Sequence, residues 1–127
     1  MFSHIMVGAN DIEASKAFYD ATMAVLEAKP GMIDPKGRVV YMHDGALFMV
    51  TKPIDGAPAC SANGGTIGFT MASPEQADAW HAAGVAAGGT ACEDPPGVRE
   101  SPFGKLSLAY LRDPSGNKIC AMHRVVD

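Results

Sequence analysis

Apolar residues in the first half of the chain recur at spacings that predict a strand, a helix and a hairpin. Asn10 and Glu13, three residues apart, match a capping box at a helix start. The helical spacing of apolar residues continues until the break around Pro30. The Asp44-Gly45 dipeptide lies between two apolar segments, which is typical of a tight hairpin. The predicted elements are a strand at 4–7, a helix at 12–26, and strands at 38–43 and 46–50.

The second half repeats this order of elements. Ser73, Pro74 and Gln76 supply an N-cap, a proline at the first helical position and a capping-box glutamine. Gly88-Gly89 predicts the end of that helix, and residues 113–116 predict a turn. The predicted elements are a strand at 66–71, a helix following Ser73, and strands at 105–111 and 117–123.

The two halves match as repeats of one βαβββ unit when the sequence is shifted, without a gap, so that Ile5 superposes on Ile67. We call this shift the repeat offset; it also superposes Glu13 on Glu75 and Phe18 on Trp80. The fold class is therefore α+β, in one domain with module 1 at 1–52, a connector at 53–65 and module 2 at 66–127. The connector contains two prolines and three glycines and has no periodicity. Two unrelated α+β halves are the alternative.

Composition narrows the functional class and the compartment. A chain of 127 residues that is 47% hydrophobic predicts one globular unit. A net charge of −4 argues against nucleic acid or an anionic membrane as partner. No basic leader and no run of 18 apolar residues is visible, so we expect a cytoplasmic protein. Cys60, Cys92 and Cys120 show no CxxC spacing, and we expect reduced thiols.

Three passages carry a resemblance to a known family. His4 with the segment 11–19 is similar to an opening histidine strand followed by a helix that ends in Phe-Tyr. Segment 79–90 is similar to a helix ending in Gly-Gly, and 113–119 to an Asp-Pro-x-Gly-Asn-x-Ile hairpin. The chain thus resembles the vicinal oxygen chelate superfamily, the fold of glyoxalases, bleomycin resistance proteins and extradiol dioxygenases. The resemblance implies two modules forming a curved mixed sheet around a cavity, and a homodimer, sometimes with modules exchanged between chains.

The resemblance also implies a divalent metal held by His or Glu ligands from four strands. The corresponding positions here are His4, Met49, Thr66 and Cys120, with Phe48 replacing Met49 if the register slips by one. This set is poor for Mg²⁺, Mn²⁺ or Ni²⁺, because thioether, hydroxyl and thiol groups replace the hard ligands. A soft ion such as Cu(I), held by the histidine and the two sulfur groups, is one alternative, and plain core filling is the other.

Other candidates surround this set. Arg99 follows Pro95-Pro96-Gly97 in a predicted loop and could grip a substrate carboxylate, or it could be an exposed structural arginine. Alternation predicts that half of a group of large apolar side chains line the cavity, while the other half face the helices. That group is Met6, Phe48, Met49, Phe69, Tyr110 and Met122.

The remaining histidines and Cys120 are weaker candidates. We expect His43 to be solvated beside its turn, and His81 to face away from the cavity. His123 follows Cys120 by three residues on a strand and is therefore expected on the opposite face. Cys120 could act as a nucleophile if His4 lay beside it, and a buried inert thiol is the alternative.

These observations predict a protein that binds a small organic molecule in a cavity between two modules. Any activity would be of the lyase, isomerase or dioxygenase type found in the family. A non-catalytic protein that binds and sequesters a small molecule, as bleomycin resistance proteins do, is the alternative, and the substituted ligand positions favour it. A third hypothesis retains metal catalysis through ligands not identified from the sequence.

Overall fold

The computed structural model describes residues 1–126, which contain two helices and nine strands. In chain order these are β1 His4–Gly8, α1 Ile12–Ala24, β2 Met32–Ile33, β3 Val39–His43, β4 Ala46–Thr51, β5 Ile67–Thr70, α2 Pro74–Ala86, β6 Thr90–Ala91, β7 Gly97–Ser101, β8 Gly104–Arg112 and β9 Lys118–Arg124.

The strands form two mixed sheets with the same topology. The first has the order β1-β4-β3-β2, and the second has the order β5-β9-β8-β6 with β7 paired to β8. In each module the first strand pairs in parallel with the last strand along the chain, β1 with β4 and β5 with β9. All other strand pairs are antiparallel. The helices α1 and α2 begin at Ile12 and Pro74 and end at Ala24 and Ala86, so both ends are related by the repeat offset. The α+β class and the repeated βαβββ unit are confirmed.

Local details differ from the sequence-based prediction in both helix ends of α1 and in three strands. The cap of α1 is Asp11, whose Oδ1 accepts from the Ala14 amide at 3.0 Å, and the predicted cap Asn10 instead binds the Ala59 backbone. The helix also ends at Ala24, before the predicted limit. The short strands β2 and β6 were missed, and Arg99 lies on strand β7 rather than in a loop, because pairing with β8 forms this strand.

Each sheet has one face covered by a helix and one open face. In the first sheet, Val39, Tyr41, Phe48 and Val50 belong to the hydrophobic core together with Phe18 of α1. Because side chains alternate along a strand, the residues next to these core residues on each strand point away from the helices. We call these the open faces: in the first sheet His4, Met6, Val40, Met42, Leu47 and Met49, and in the second Leu106, Leu108, Tyr110, Lys118, Cys120 and Met122.

A row of aromatic rings crosses from one module to the other. The ring centres of Tyr19 and Phe48 lie 4.8 Å apart, and those of Phe48 and Phe69, in an edge-to-face contact, lie 5.3 Å apart. The ring centres of Phe69 and Trp80 lie 6.3 Å apart. A Cβ on Gly84 of α2 would come within 3.2 Å of Phe18 Cε1 and of Thr22 Cγ2 on α1, so the two helices pack closely at this glycine. The modules therefore share one core.

A second connection is polar and lies at one end of the module boundary. The turn 113–117 between β8 and β9 reaches the first module, and we call it the latch. The buried Asp113 carboxylate accepts from the Tyr19 hydroxyl at 2.6 Å and from Asn117 Nδ2 at 2.9 Å. Asn117 Nδ2 also donates to the Gly8 carbonyl at 2.9 Å. The Asp-Pro-x-Gly-Asn motif thus has a structural role, which is to join the second hairpin to β1 and α1.

Candidate functional site

A cleft of about 610 Å³ lies at the other end of the module boundary. This volume is within the range of small-molecule sites. Its base is the edge-to-face pair of Phe48 and Phe69. Its walls come from the end of α1, the hairpin between β3 and β4, strand β5 and the start of α2. The inter-module cleft is therefore built by both repeats and is largely apolar.

The side chains that shape the cleft are held by the core. Ile5 and Ile67 occupy equivalent positions on β1 and β5, and both pack against the core cluster. Gln76 fixes the far wall, because its Oε1 accepts from the Ala72 amide at 2.6 Å while its Nε2 donates to the Val25 carbonyl at 3.1 Å. Such supports give the cleft a preformed shape.

The two hairpins at the ends of the module boundary differ in length. Only Asp44-Gly45 separates β3 from β4, whereas the five residues 113–117 separate β8 from β9. The longer turn fills its end of the module boundary with the latch. Gly8, which the latch contacts, has Thr70 as its counterpart at the repeat offset, and Thr70 lines the cleft. The shorter hairpin leaves the equivalent space open.

The charged side chains that line the cleft are acidic. Glu27 and Asp44 are the two carboxylates among its lining residues, and neither Lys nor Arg occurs in that set. His43 lies beside Asp44, with 3.4 Å between its Nε2 and Oδ2, and the Asp44 carboxylate is 88% exposed. The rim of the cleft therefore carries more acidic than basic side chains.

None of the family ligand positions lines this cleft. Met49 pairs with Met6 on β1, and Cys120 pairs with Gly68 on β5, which is the counterpart of Met6 at the repeat offset. In this register Met49 and Cys120 occupy equivalent positions of the two modules, whereas Phe48 faces the core. All three of His4, Met49 and Cys120 lie on the open faces. The hydroxyl-bearing Thr66 is exposed just before β5.

These residues do not fit a divalent metal. His4 is exposed and its Nδ1 lies 2.8 Å from the Ser3 hydroxyl, while the other positions offer thioether, hydroxyl and thiol groups. Within residues 1–126, no group of three or more His, Cys, Asp or Glu side chains is arranged to hold an ion. Hard divalent ions require several oxygen or imidazole ligands, which this set does not supply.

The open face of the second sheet carries a cluster of polar groups. Lys118 forms an ion pair with Glu93, and its Nζ lies 5.1 Å from the centre of the Tyr110 ring. Burial raises the pKa of Cys120, with an opposing effect from Lys118, so the thiol is a poor nucleophile at neutral pH. Arg99 donates to three carbonyl groups of the segment 94–97. Its guanidinium therefore holds this segment in place.

The other histidines occupy structural positions. His123 Nδ1 lies 3.0 Å from the Met71 carbonyl oxygen, and its strand position is opposite in phase to Cys120, as predicted. Burial lowers the pKa of His81, which lies on α2 away from the cleft. His43 is half-exposed at the cleft rim. Of these three, only His43 lies near the candidate site.

The sequence identified only part of the cleft. Of the six large apolar candidates, Phe48 and Phe69 line the cleft although they face the helices, whereas Met6, Met49 and Met122 lie on the open faces. Residues at the end of α1 were not candidates, since nothing in their local pattern distinguishes them. The unequal lengths of the two hairpins were the available signal.

Two repeated βαβββ modules that share a core define a class of paired-module α+β proteins. The family model of the Glyoxalase/Bleomycin resistance protein/Dioxygenase superfamily matches the sequence over residues 1–121. The chain therefore belongs to this superfamily, and the resemblance noted from its motifs is confirmed.

Solved structures agree with this assignment. The chain is similar to a glyoxalase/bleomycin resistance protein from Albidiferax ferrireducens T118, with 57% identity, a TM-score of 0.94, and coverage of 98% of this chain and 99% of that one. A glyoxalase/bleomycin resistance protein/dioxygenase family enzyme from Burkholderia phytofirmans PsJN has 19% identity, a TM-score of 0.73, and coverage of 97% and 98%. A lactoylglutathione lyase from Agrobacterium tumefaciens has 19% identity, a TM-score of 0.66, and coverage of 97% and 92%. The last two similarities concern the fold alone.

Two further findings complete the comparison. No curated protein matches the sequence. Neither helix within residues 1–126 has the length and apolar character needed to span a membrane.

Proposed function

We propose that this chain binds a small, largely apolar organic molecule in the inter-module cleft. The observation that carries the proposal is the cleft itself, with its aromatic base and its volume of about 610 Å³. Burying an apolar ring against Phe48 and Phe69 removes apolar surface from water, which favours binding by roughly 25 cal/mol per Å² before ordering costs.

We propose that the role is binding and sequestering, as in the bleomycin resistance members of the superfamily. The donor groups at His4, Met49, Thr66 and Cys120 support this role over metal-dependent lyase, isomerase or dioxygenase chemistry, because they suit hard divalent ions poorly. The apolar cleft requires no metal to hold a ligand.

Chemical-shift mapping with a neutral bicyclic probe, 2-naphthalenemethanol, tests this proposal on ¹⁵N-labelled protein. We expect shifts at the amides of Gly68 and Phe69 in the cleft wall. Absence of binding at millimolar probe, or shifts confined to His4, Met49 and Cys120 on the open faces, would overturn it.

Two matched variants sharpen the test. Ala46 shares the face of β4 with Phe48 and lines the cleft, so Ala46→Trp places an indole in the ligand space. Ala82→Trp adds the same side chain at an exposed position on α2, outside the cleft. We expect the first variant to lose the probe and the second to retain it.

We also propose that the protein forms a homodimer through its open faces. Met6, Met42 and Met122 on these faces are 39%, 73% and 36% exposed, so both open faces present large apolar side chains to solvent. Sedimentation equilibrium should give a dimer mass that Met42→Glu lowers and Val85→Glu, an exposed helix position, does not. A monomeric wild type would overturn this proposal.

A further inference from the structure

The connector between the modules contains an Asn-Gly pair in an exposed turn. Asn63 and Gly64 are the two central residues of this turn, which is closed by a hydrogen bond of 3.1 Å from the Gly65 amide to the Ala62 carbonyl. Gly64 has a φ of 96°, and a Cβ added to it would meet no atom within 4 Å. The turn therefore lies in open space, and an exposed backbone hydrogen bond closes it.

The sequence contains three asparagines, and the structure holds their side chains differently. Asn10 exchanges two hydrogen bonds with the Ala59 backbone. Asn117 Nδ2 donates to the Gly8 carbonyl at 2.9 Å and also to a carboxylate of the latch. Within residues 1–126, no hydrogen bond involves the exposed side chain of Asn63. Of the three asparagines, Asn63 is also the one that is followed by glycine.

We propose that Asn63 is a site of spontaneous deamidation, which converts it to aspartate and isoaspartate. The Gly64 amide nitrogen gives its proton to solvent hydroxide and attacks Asn63 Cγ. An N–Cγ bond forms, the Cγ–Nδ2 bond breaks, and ammonia leaves with a proton from water. Water then opens the resulting succinimide ring. Its attack at Cγ gives aspartate, and its attack at the main-chain carbonyl gives isoaspartate, in which the chain continues through Cγ. The net reaction consumes one water and releases one ammonia.

Residue type and structure both favour this reaction at Asn63. Glycine has no Cβ, so no side chain shields the attacking nitrogen, and the backbone can rotate into the attacking conformation. At Asn10 and Asn117, two side-chain hydrogen bonds must break first, and each slows the reaction by roughly 2-fold to 10-fold. At Asn63 the side chain is free to meet the Gly64 nitrogen once the exposed turn opens.

The connector can take up the change. The Ala59 backbone is fixed by Asn10, and Ile67 of β5 pairs with Ile119 of β9, whereas the residues 62–66 between these anchors are all exposed. An isoaspartate adds one methylene to the main chain within this stretch, and either product adds a negative charge there. We therefore expect the modified chain to stay folded and to accumulate with time.

Incubation of the folded protein at pH 8, followed by peptide mass spectrometry, tests this assignment. The peptide that contains Asn63 should gain one dalton at least about 10-fold faster than the peptides of Asn10 and Asn117. An isoaspartate-specific carboxyl methyltransferase should then transfer a methyl group from S-adenosylmethionine to the same peptide. Comparable rates at the three asparagines would overturn the proposal, and a mass gain without methylation would exclude the succinimide route.

Two matched glycine variants test the attacking residue. Gly64→Ala adds a methyl group beside the attacking nitrogen. Gly37→Ala makes the same change at another exposed glycine, with a φ of 78° and no atom within 4 Å of the added Cβ. We expect the first variant to slow deamidation of Asn63 at least about 10-fold and the second to leave it unchanged. Equal rates in Gly64→Ala and the wild type would refute attack by this nitrogen.

Unfolding in urea tests the structural part of the argument. Asn117 should deamidate faster once the latch is lost, whereas the rate at Asn63 should change little, because its turn is already exposed in the folded protein. If urea accelerated both sites equally, the folded turn would protect Asn63 and the proposal would fail.

Discussion

The hydrogen bond between Tyr19 and Asp113 connects α1 to the second hairpin, and its contribution to stability can be isolated. Both groups are buried, and the oxygen atoms lie 2.6 Å apart. Tyr19→Phe removes one hydroxyl, while the Asp113 carboxylate keeps Asn117 as a donor. We expect a loss of about 1.5–3 kcal/mol in the free energy of unfolding, as for other buried hydrogen bonds to a charged group.

Asp113→Ala should cost more, about 3–5 kcal/mol, because it removes the acceptor of four hydrogen bonds. The Tyr19 hydroxyl is then buried without its partner, whereas Asn117 Nδ2 keeps the Gly8 carbonyl. In the double variant the orphaned hydroxyl is absent. The loss in the double variant should therefore be close to that of Asp113→Ala alone, giving a coupling of about 1.5–3 kcal/mol.

Urea unfolding followed by the fluorescence of Trp80 measures these free energies, since this single tryptophan is fully buried. Asp55→Ala is a matched control, because Asp55 lies in an exposed turn and accepts only from the Ala57 amide among the described residues. We expect little change there. Strictly additive losses in Tyr19→Phe and Asp113→Ala would refute the reasoning.

Two further predictions concern ionisable groups. Cys60 is exposed and Cys120 is buried with a raised pKa, so a disulfide reagent at pH 8 should modify Cys60 quickly and Cys120 only after unfolding; comparable rates would contradict this. Burial and a neighbouring aspartate raise the pKa of Tyr19 and Tyr41. A tyrosine whose pKa is raised in the folded state contributes its full stabilisation of the fold below the unfolded pKa, which is near 10. Above that pH the unfolded chain ionises first, and the free energy of unfolding falls by about 1.4 kcal/mol per pH unit for each tyrosine. Urea midpoints should fall between pH 10 and 11, less steeply in Tyr19→Phe, and a flat profile would exclude this linkage.

The elements that the sequence predicted well are those set by local chemistry. The cap Ser73, the proline at 74 and the capping glutamine lie within four residues, and α2 begins as predicted. Strand β7 was missed because it contains Gly97 and the charged pair Arg99 and Glu100. It forms through pairing with β8, which no local pattern records.

The candidate site was predicted less completely than the fold. Alternation correctly divided the apolar side chains between two faces, but it does not say which face borders a cavity. Phe48 and Phe69 face the helices, and the cleft opens on that side, next to the shorter hairpin. Such a space depends on the relative position of two modules that are far apart in sequence.

Exchanging the hairpin turns tests this origin of the cleft directly. Replacing Asp44-Gly45 with the five-residue turn of 113–117 should extend the first hairpin toward Thr70, the counterpart of Gly8 in the latch. The counterpart of Tyr19 is His81, which has no phenolic hydroxyl, so the transplanted turn would occupy the cleft without forming a second latch.

The longer loop should cost only about 1 kcal/mol in closure entropy. We therefore expect a folded variant, with urea stability near that of the wild type, whose affinity for 2-naphthalenemethanol falls at least about 10-fold because the ligand space is filled. An additional turn of five glycine and serine residues, which lacks the proline-fixed shape, serves as the control and should reduce affinity less. If the transplanted turn left probe affinity unchanged in a folded protein, the cleft would not owe its existence to the short hairpin, and the asymmetry of the repeat would have no part in ligand binding.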